Sequence, residues 1–294
     1  MNAVAKLGLG TVQWGMPYGV TNREGMTPPG EVAHILAAAR AVGVRTLDTA
    51  ALYAQAEVVL GQQDIAAFDV VTKTPRFATG RISNDQADAL VATFHQSLQR
   101  LRQERVHGLL LHHAADLVAP GGELLLNAMR ALKSAGLVSR IGVSVYDASQ
   151  LEAVLDVFRP DIVQLPLTVF DRRLVDDGSL ARLGSLGVEV HARSAFLQGL
   201  LLMGTDELPA YFAPIRPLLV RWHAACSEQG MTPVQAALAF VRELPGVSVC
   251  LVGVQDRAQF EQCARDFNRG ENFDATGLAC NDPAFVNPAL WKLQ

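Results

Sequence analysis

Along the chain, short runs of β-branched and other apolar residues alternate with longer segments in which apolar positions recur three and four apart. The short runs read as strands over residues 6–10, 44–48, 70–73, 106–112, 140–144, 162–166, 188–193 and 247–252. The longer segments read as amphipathic helices, most clearly over 31–41, 84–101, 123–135, 148–158 and 233–242, because a helix places such positions on one face. Gly43, Gly136 and Gly187 stand where helices should stop, as suits a residue that tolerates a left-handed C-cap. Pro233 stands where one should start, a position at which its missing N–H costs nothing. Residues 204–217, with Pro209, Pro214 and Pro217, read as a loop inserted after the seventh strand.

Strand followed by helix, eight times over, predicts a parallel sheet covered by helices. Two architectures share that pattern. A doubly wound sheet that binds a dinucleotide carries GxGxxG after its first strand, whereas Gly8-Leu9-Gly10-Thr11-Val12-Gln13 has only the first two glycines. Eight units also suit closure, so the expected fold is a single (β/α)₈ (TIM) barrel over residues 1–294, with no low-complexity linker to divide it.

Composition narrows the partners. Half of the 294 residues are hydrophobic and 18% are charged, which supplies a large core and argues against disorder. The net charge is −4, and the 25 Lys and Arg form no basic run, so neither nucleic acid nor an anionic membrane is expected as a partner. A small molecule is, with the protein a monomer or a small homo-oligomer. The start of the chain lacks the charged head and apolar stretch of a leader, and no apolar run reaches the length of a membrane span, so the cytoplasm is the expected location. Cys226, Cys250, Cys263 and Cys280 show no CxxC spacing and no nearby His at metal-ligand spacing, which predicts free thiols and no metal site.

In a barrel of this kind, chemistry collects where strands end at their carboxyl side. Asp48 closes the second strand, Tyr53 follows five residues later, Lys73 closes the third and His112 closes the fourth. Singly each has an ordinary reading: a cap, a core aromatic, a strand end at the surface, a satisfied core histidine. Together, on three consecutive strands, they suit reduction of a carbonyl. The oxygen that receives electrons needs a proton, and a phenol supplies one at neutral pH if its conjugate base is stabilised. A buried ammonium is expected to lower the phenol's pKa, and a carboxylate to keep that ammonium charged. Tyr53, Lys73 and Asp48 fit those roles, with His112 orienting the carbonyl oxygen.

These residues sit in segments whose order and spacing resemble the aldo-keto reductase family over nearly the whole chain. The segments are residues 7–15, 48–53 with Glu57 and Leu60-Gly61, Thr72-Lys73, residues 109–112, Ile141-Gly142-Val143-Ser144, Gln164-Leu165-Pro166 with Asp171-Arg172, and Gly199-Leu200-Leu201. The resemblance implies that Asp48, Tyr53, Lys73 and His112 are a catalytic tetrad with Tyr53 as general acid. It implies hydride transfer from NADP(H), with NAD(H) the alternative. Nucleotide contacts are expected from Gly10, Thr11, Ser144, Gln164, Arg193, Ser194, Gly253, Arg257 and Gln259, and substrate contacts from Trp14, His113 and Arg193.

Several positions depart from the family's pattern. Val145 and Leu167-Thr168 stand where the family commonly has Asn and Tyr-Asn, and Arg193 stands where many members stack an aromatic on nicotinamide. After the eighth strand, the basic residues that meet the 2′-phosphate of NADP are missing except for Arg257, and Asp256 beside it opposes an anion. The implied activity is therefore reduction of an aldehyde, ketone or sugar-like carbonyl. The alternatives are a nucleotide-binding sensor or accessory protein and, more remotely, a lyase or epimerase. Arg193 points to a polar or anionic substrate, whereas Arg172 is read as the partner of Asp171 or Asp176.

Overall fold

The computed structural model describes residues 6–77 and 80–292. The first five residues, read above for a leader, lie outside that range. Eight parallel strands close on one another in sequence order: β1 (Leu7–Gly10), β2 (Thr46–Asp48), β3 (Asp69–Lys73), β4 (Val106–Leu111), β5 (Val138–Ser144), β6 (Ile162–Pro166), β7 (Glu189–Arg193) and β8 (Val249–Gly253). The closing pair aligns Gly10 of β1 with Gly253 of β8. The protein is thus a (β/α)₈ barrel, as its pattern of apolar runs predicts.

Side-chain alternation builds two apolar layers. One lies between the strands and the outer helices. The other is the plug inside the barrel, where Val71, Leu110 and Ile162 from β3, β4 and β6 meet, all fully buried. Gly108 makes room for that plug, since a Cβ there would stand 3.1 Å from both Val71 and Ile162.

The helix over Asn84–Leu101 coincides with its apolar periodicity, and Ser83 and Gln86 form a capping box at its start. Thr232 and Gln235 form another ahead of Pro233, reciprocally satisfying N–H groups that a helix leaves orphaned. Gly43, Gly136 and Gly187 adopt φ of 86°, 75° and 67°, the left-handed stop expected of them. Elsewhere element ends move by one to three residues. His112 falls just beyond β4 rather than within it, and Lys6 lies ahead of β1. Residues 204–217 are not a bare loop: they fold into short 3-10 helices, Thr205–Glu207 and Ala210–Ile215, and Pro217 enters the helix Arg216–Glu228 at its first turn. Pro209 and Pro217 sit at helix starts, where proline is tolerated, whereas Pro214 lies inside the second 3-10 helix. Among the described residues, no helix is long and apolar enough to cross a membrane.

Candidate active site

The carboxyl ends of the strands enclose a cavity of about 640 Å³. Asp48, Tyr53, His112, Ser144, Gln164, Arg193 and Ser194 line it, as do Gly10, Thr11, Gly253 and Gln259. Lys73 lies beneath this surface, 1% exposed, and can hold a charge there only because of what surrounds it. Its ammonium donates to Asp48 Oδ1 at 2.7 Å, to Asp48 Oδ2 at 2.6 Å and to the Thr49 carbonyl at 2.9 Å. Burial pushes the Lys73 ammonium below the ordinary lysine range, and the Asp48 carboxylate pulls it back. Gln164 also donates to Asp48 Oδ1, at 2.6 Å. A side chain expected to serve the nucleotide thus also steadies the buried carboxylate.

Three acceptors around Lys73 Nζ use the three donors of an ammonium. The nitrogen instead lies 5.1 Å from the centre of the Tyr53 ring, within the range of a cation–π contact. The Tyr53 phenol has no hydrogen-bond partner among the described residues and faces the cavity. Enclosure away from bulk water drives its pKa well above the ordinary tyrosine value, Asp48 adds to that rise and Arg193 opposes it. The shift runs opposite to the lowering expected from the residue types. His112 lies edge-on to Tyr53, ring centres 5.8 Å apart, and stacks on His113 at 5.1 Å. Burial, aided by the Lys73 charge, pushes His112 down to about 2, so the imidazole is neutral and one ring nitrogen donates while the other accepts. Its Nδ1 is buried without a partner.

Local packing fixes Tyr53. Gly15 packs so closely under the β2 loop that a Cβ there would stand 1.9 Å from the Tyr53 carbonyl oxygen and 2.4 Å from the Ala56 nitrogen. These are backbone atoms and cannot step aside singly. Gly15→Ala is expected to cost about 1–3 kcal/mol by overpacking and to displace the phenol. A thermal melt combined with kcat checks this, and an unchanged kcat would show that Gly15 does not position Tyr53.

Three candidates lie elsewhere than expected. Trp14 is fully buried, its indole donating to the Val254 carbonyl at 3.3 Å, so it packs the barrel end and does not line the cavity. His113 stands behind His112 and caps the short helix Ala114–Val118. Arg257 turns to Glu261 on its own helix at 2.6 Å. Arg172 pairs with Asp176 at 3.3 Å, as its ordinary reading anticipates, while Arg173 takes Asp171 at 2.7 Å.

Other lining residues escaped sequence reasoning. Tyr146 faces the cavity under the Arg193 guanidinium, 4.2 Å from its ring centre. The available signal was strand alternation, since Tyr146 follows Ser144 by two residues. Tyr18 comes from the segment after β1, Gln13 from the one-turn helix Val12–Gly15 and Gln198 from the 3-10 turn Leu197–Leu202, and none carried such a signal. The segment after β1 crosses to the β7 loop, where Val20 N–H donates to the Gln198 carbonyl at 2.9 Å and Gln198 Nε2 donates to the Tyr18 hydroxyl at 2.8 Å. That strap holds Ser194, Leu197 and Gln198 at φ of 65°, 49° and 54°, a left-handed conformation that costs a non-glycine residue about 1–2 kcal/mol.

A parallel barrel whose carboxyl end brings together a buried Lys–Asp pair, a phenol and an imidazole offers the groups for acid–base chemistry at the mouth of a TIM barrel. Comparison with known proteins names the class more closely. The Aldo/keto reductase family model matches residues 6–275, and the chain belongs to that family, which places it among the oxidoreductases. It is 28% identical over 236 residues to an aldo-keto reductase of Mycobacterium sp. strain JLS, covering 76% of each chain. It is 26% identical over 286 residues to an uncharacterized oxidoreductase of Mycobacterium tuberculosis strain H37Rv, covering 88% of this chain and 83% of that one. Among solved structures, an aldo-keto reductase from Bacillus halodurans in its holo form superposes with TM-score 0.72 at 19% identity, covering 93% of this chain and 89% of that one. A glycerol dehydrogenase from Gluconobacter oxydans superposes with TM-score 0.68 at 19% identity, covering 92% and 88%.

Proposed function

We propose that the protein reduces an aldehyde, ketone or sugar-like carbonyl with hydride from a nicotinamide dinucleotide, Tyr53 giving the proton. The observation that carries this reading is a phenol lining the cavity with its ring 5.1 Å from the ammonium of a buried Lys–Asp pair. As the carbonyl oxygen gains electron density it takes the Tyr53 proton. The Lys73 charge against the ring face steadies the phenolate left behind, and Asp48 keeps that charge in place. His112 holds the oxygen by donating from its cavity-facing nitrogen, a role worth about 10²–10³ in rate for such a donor.

The residues present fit a dinucleotide. Thr11 Oγ1 and Gln13 Oε1 are buried polar atoms without partners in the cavity wall, and such atoms call for a polar ligand. Ser144 and the Gln164 carbonyl face the same space, suited to an amide. The bound nucleotide supplies the hydride. On the choice between nucleotides, the helix Arg257–Phe267 is informative, because its amino end is where the family resemblance puts the 2′-phosphate of NADP. Two carboxylates already occupy it: Glu31 accepts from the Arg257 N–H at 2.7 Å and Asp256 from the Gln259 N–H at 2.7 Å. The Arg257 N–H holds the Glu31 carboxyl below its ordinary range. A further dianion there meets like charge, so NAD(H) is favoured over the family's NADP(H).

Titration of the purified protein with NADH and NADPH, read by tryptophan fluorescence, tests this together with nucleotide oxidation on a nitrobenzaldehyde. Tighter binding of NADH with turnover is the expected result. Glu31→Gln with Asp256→Asn, which keeps a capping side chain, should tighten NADPH about tenfold while leaving NADH unchanged, the scale of one charge-assisted contact. Binding without turnover on any carbonyl would favour the sensor reading.

A further inference from the structure

Resting on the reductase reading, the geometry points to Arg193 as an anion site, and to a carbonyl compound that carries a carboxylate as the substrate class. Among the described residues whose side chains line the cavity, only Asp48 and Arg193 bear formal charge. Asp48 is matched by Lys73 beneath it. Arg193 has no carboxylate partner among the described residues: its guanidinium donates once, to the Val145 carbonyl at 3.3 Å, and its central carbon stands 4.2 Å from the centre of the Tyr146 ring. A protein of net charge −4 thus presents one uncompensated positive charge inside its cavity.

That charge is held ready for a ligand. Five N–H donors form the guanidinium fork, one is used, and the remaining fork matches the two oxygens of a carboxylate. The cation–π contact with Tyr146 restrains it, so less freedom is lost when an anion docks. The same charge acts on Tyr53, His112, Tyr18 and Lys73. Its partners Val145 and Tyr146 directly follow Ser144, which pairs in register with Gln164, the residue bonded to Asp48, so it belongs to the acid–base end of the cavity, where the carbonyl must lie. The wall around Gln255, Gln259 and Gln262 contributes no charged side chain to the cavity, and the carboxylates of Glu31 and Asp256 stand beside it. An anion that meets Arg193 while its neighbouring carbonyl meets Tyr53 belongs to the substrate.

The test compares 4-carboxybenzaldehyde with its neutral methyl ester in the wild type, Arg193→Met and Arg193→Lys, alongside fluorescence titration with NADH and calorimetric titration with benzoate, which cannot be reduced. The wild type is expected to prefer the carboxylate by about tenfold or more in kcat/KM, the scale of one charge-assisted pair. Arg193→Met should erase that preference and the benzoate heat, and Arg193→Lys should keep part of both. Equal use of acid and ester by the wild type overturns the proposal, as does a preference that survives Arg193→Met. A parallel loss of NADH affinity also overturns it, because the anion would then be the nucleotide's own phosphate. No turnover on any carbonyl, with benzoate still bound through Arg193, sinks the reductase reading and leaves the anion site supported.

Discussion

Tyr53→Phe is expected to lower kcat for carbonyl reduction by about 10³-fold or more, within the range that a positioned general acid contributes, while the affinity for NADH stays within about twofold. The substitution removes one oxygen from a residue whose backbone is packed against Gly15 and whose ring face meets Lys73, so the fold has no reason to change. The pH profile is the sharper test. Enclosure and Asp48 raise the Tyr53 pKa, so the proton to be donated is present throughout the neutral and mildly alkaline range. His112, pushed to about 2, does not charge on the acid side. Reduction should therefore show no ionisation break between about pH 6 and 9. Oxidation of the alcohol needs the phenolate and should rise about tenfold per pH unit over the same interval. A break near neutrality in reduction that persists in Tyr53→Phe would assign proton transfer to another group.

The barrel was legible because its signals are local and repeated. The Asn84–Leu101 helix carries its periodicity and cap in adjacent residues, and Gly136 stops a helix by its own φ. Asp48, Lys73 and His112 were legible because a strand's end fixes where its side chain points. What failed depends on contacts between distant segments. Trp14 has the type and place of a rim aromatic, yet the turn after β1 aims it under the wall at Val254. Arg257 has the charge for a phosphate, but Glu261 is one helical turn away. The capture of the Arg257 N–H by Glu31 joins positions 226 apart in sequence, which no local pattern records. The direction of the Tyr53 shift was missed for a related reason. Residue types suggested an ammonium bonded to the phenol, whereas Thr49 and Asp48 use all three of its donors.

That saturation makes Lys73 the residue whose loss should cost most in stability. Lys73→Met keeps the length of the side chain but leaves Asp48, 5% exposed, without its cation. Breaking a buried pair from one side costs about 3–5 kcal/mol, because the remaining charge keeps its desolvation penalty and loses its compensation. Gln164 still donates to Asp48 and should hold the cost to the lower part of that range, read as a fall in Tm of roughly 5–15 °C. Removing both charges, in Lys73→Met with Asp48→Asn, should restore much of the lost stability, giving a cycle far from additive. Activity should not return with it: the phenolate has lost the charge against its ring, and kcat should stay about 10²-fold or more below wild type. Additive melting effects in the double variant would show that Lys73 and Asp48 do not depend on one another, and recovery of kcat would remove Lys73 from the proton-transfer step.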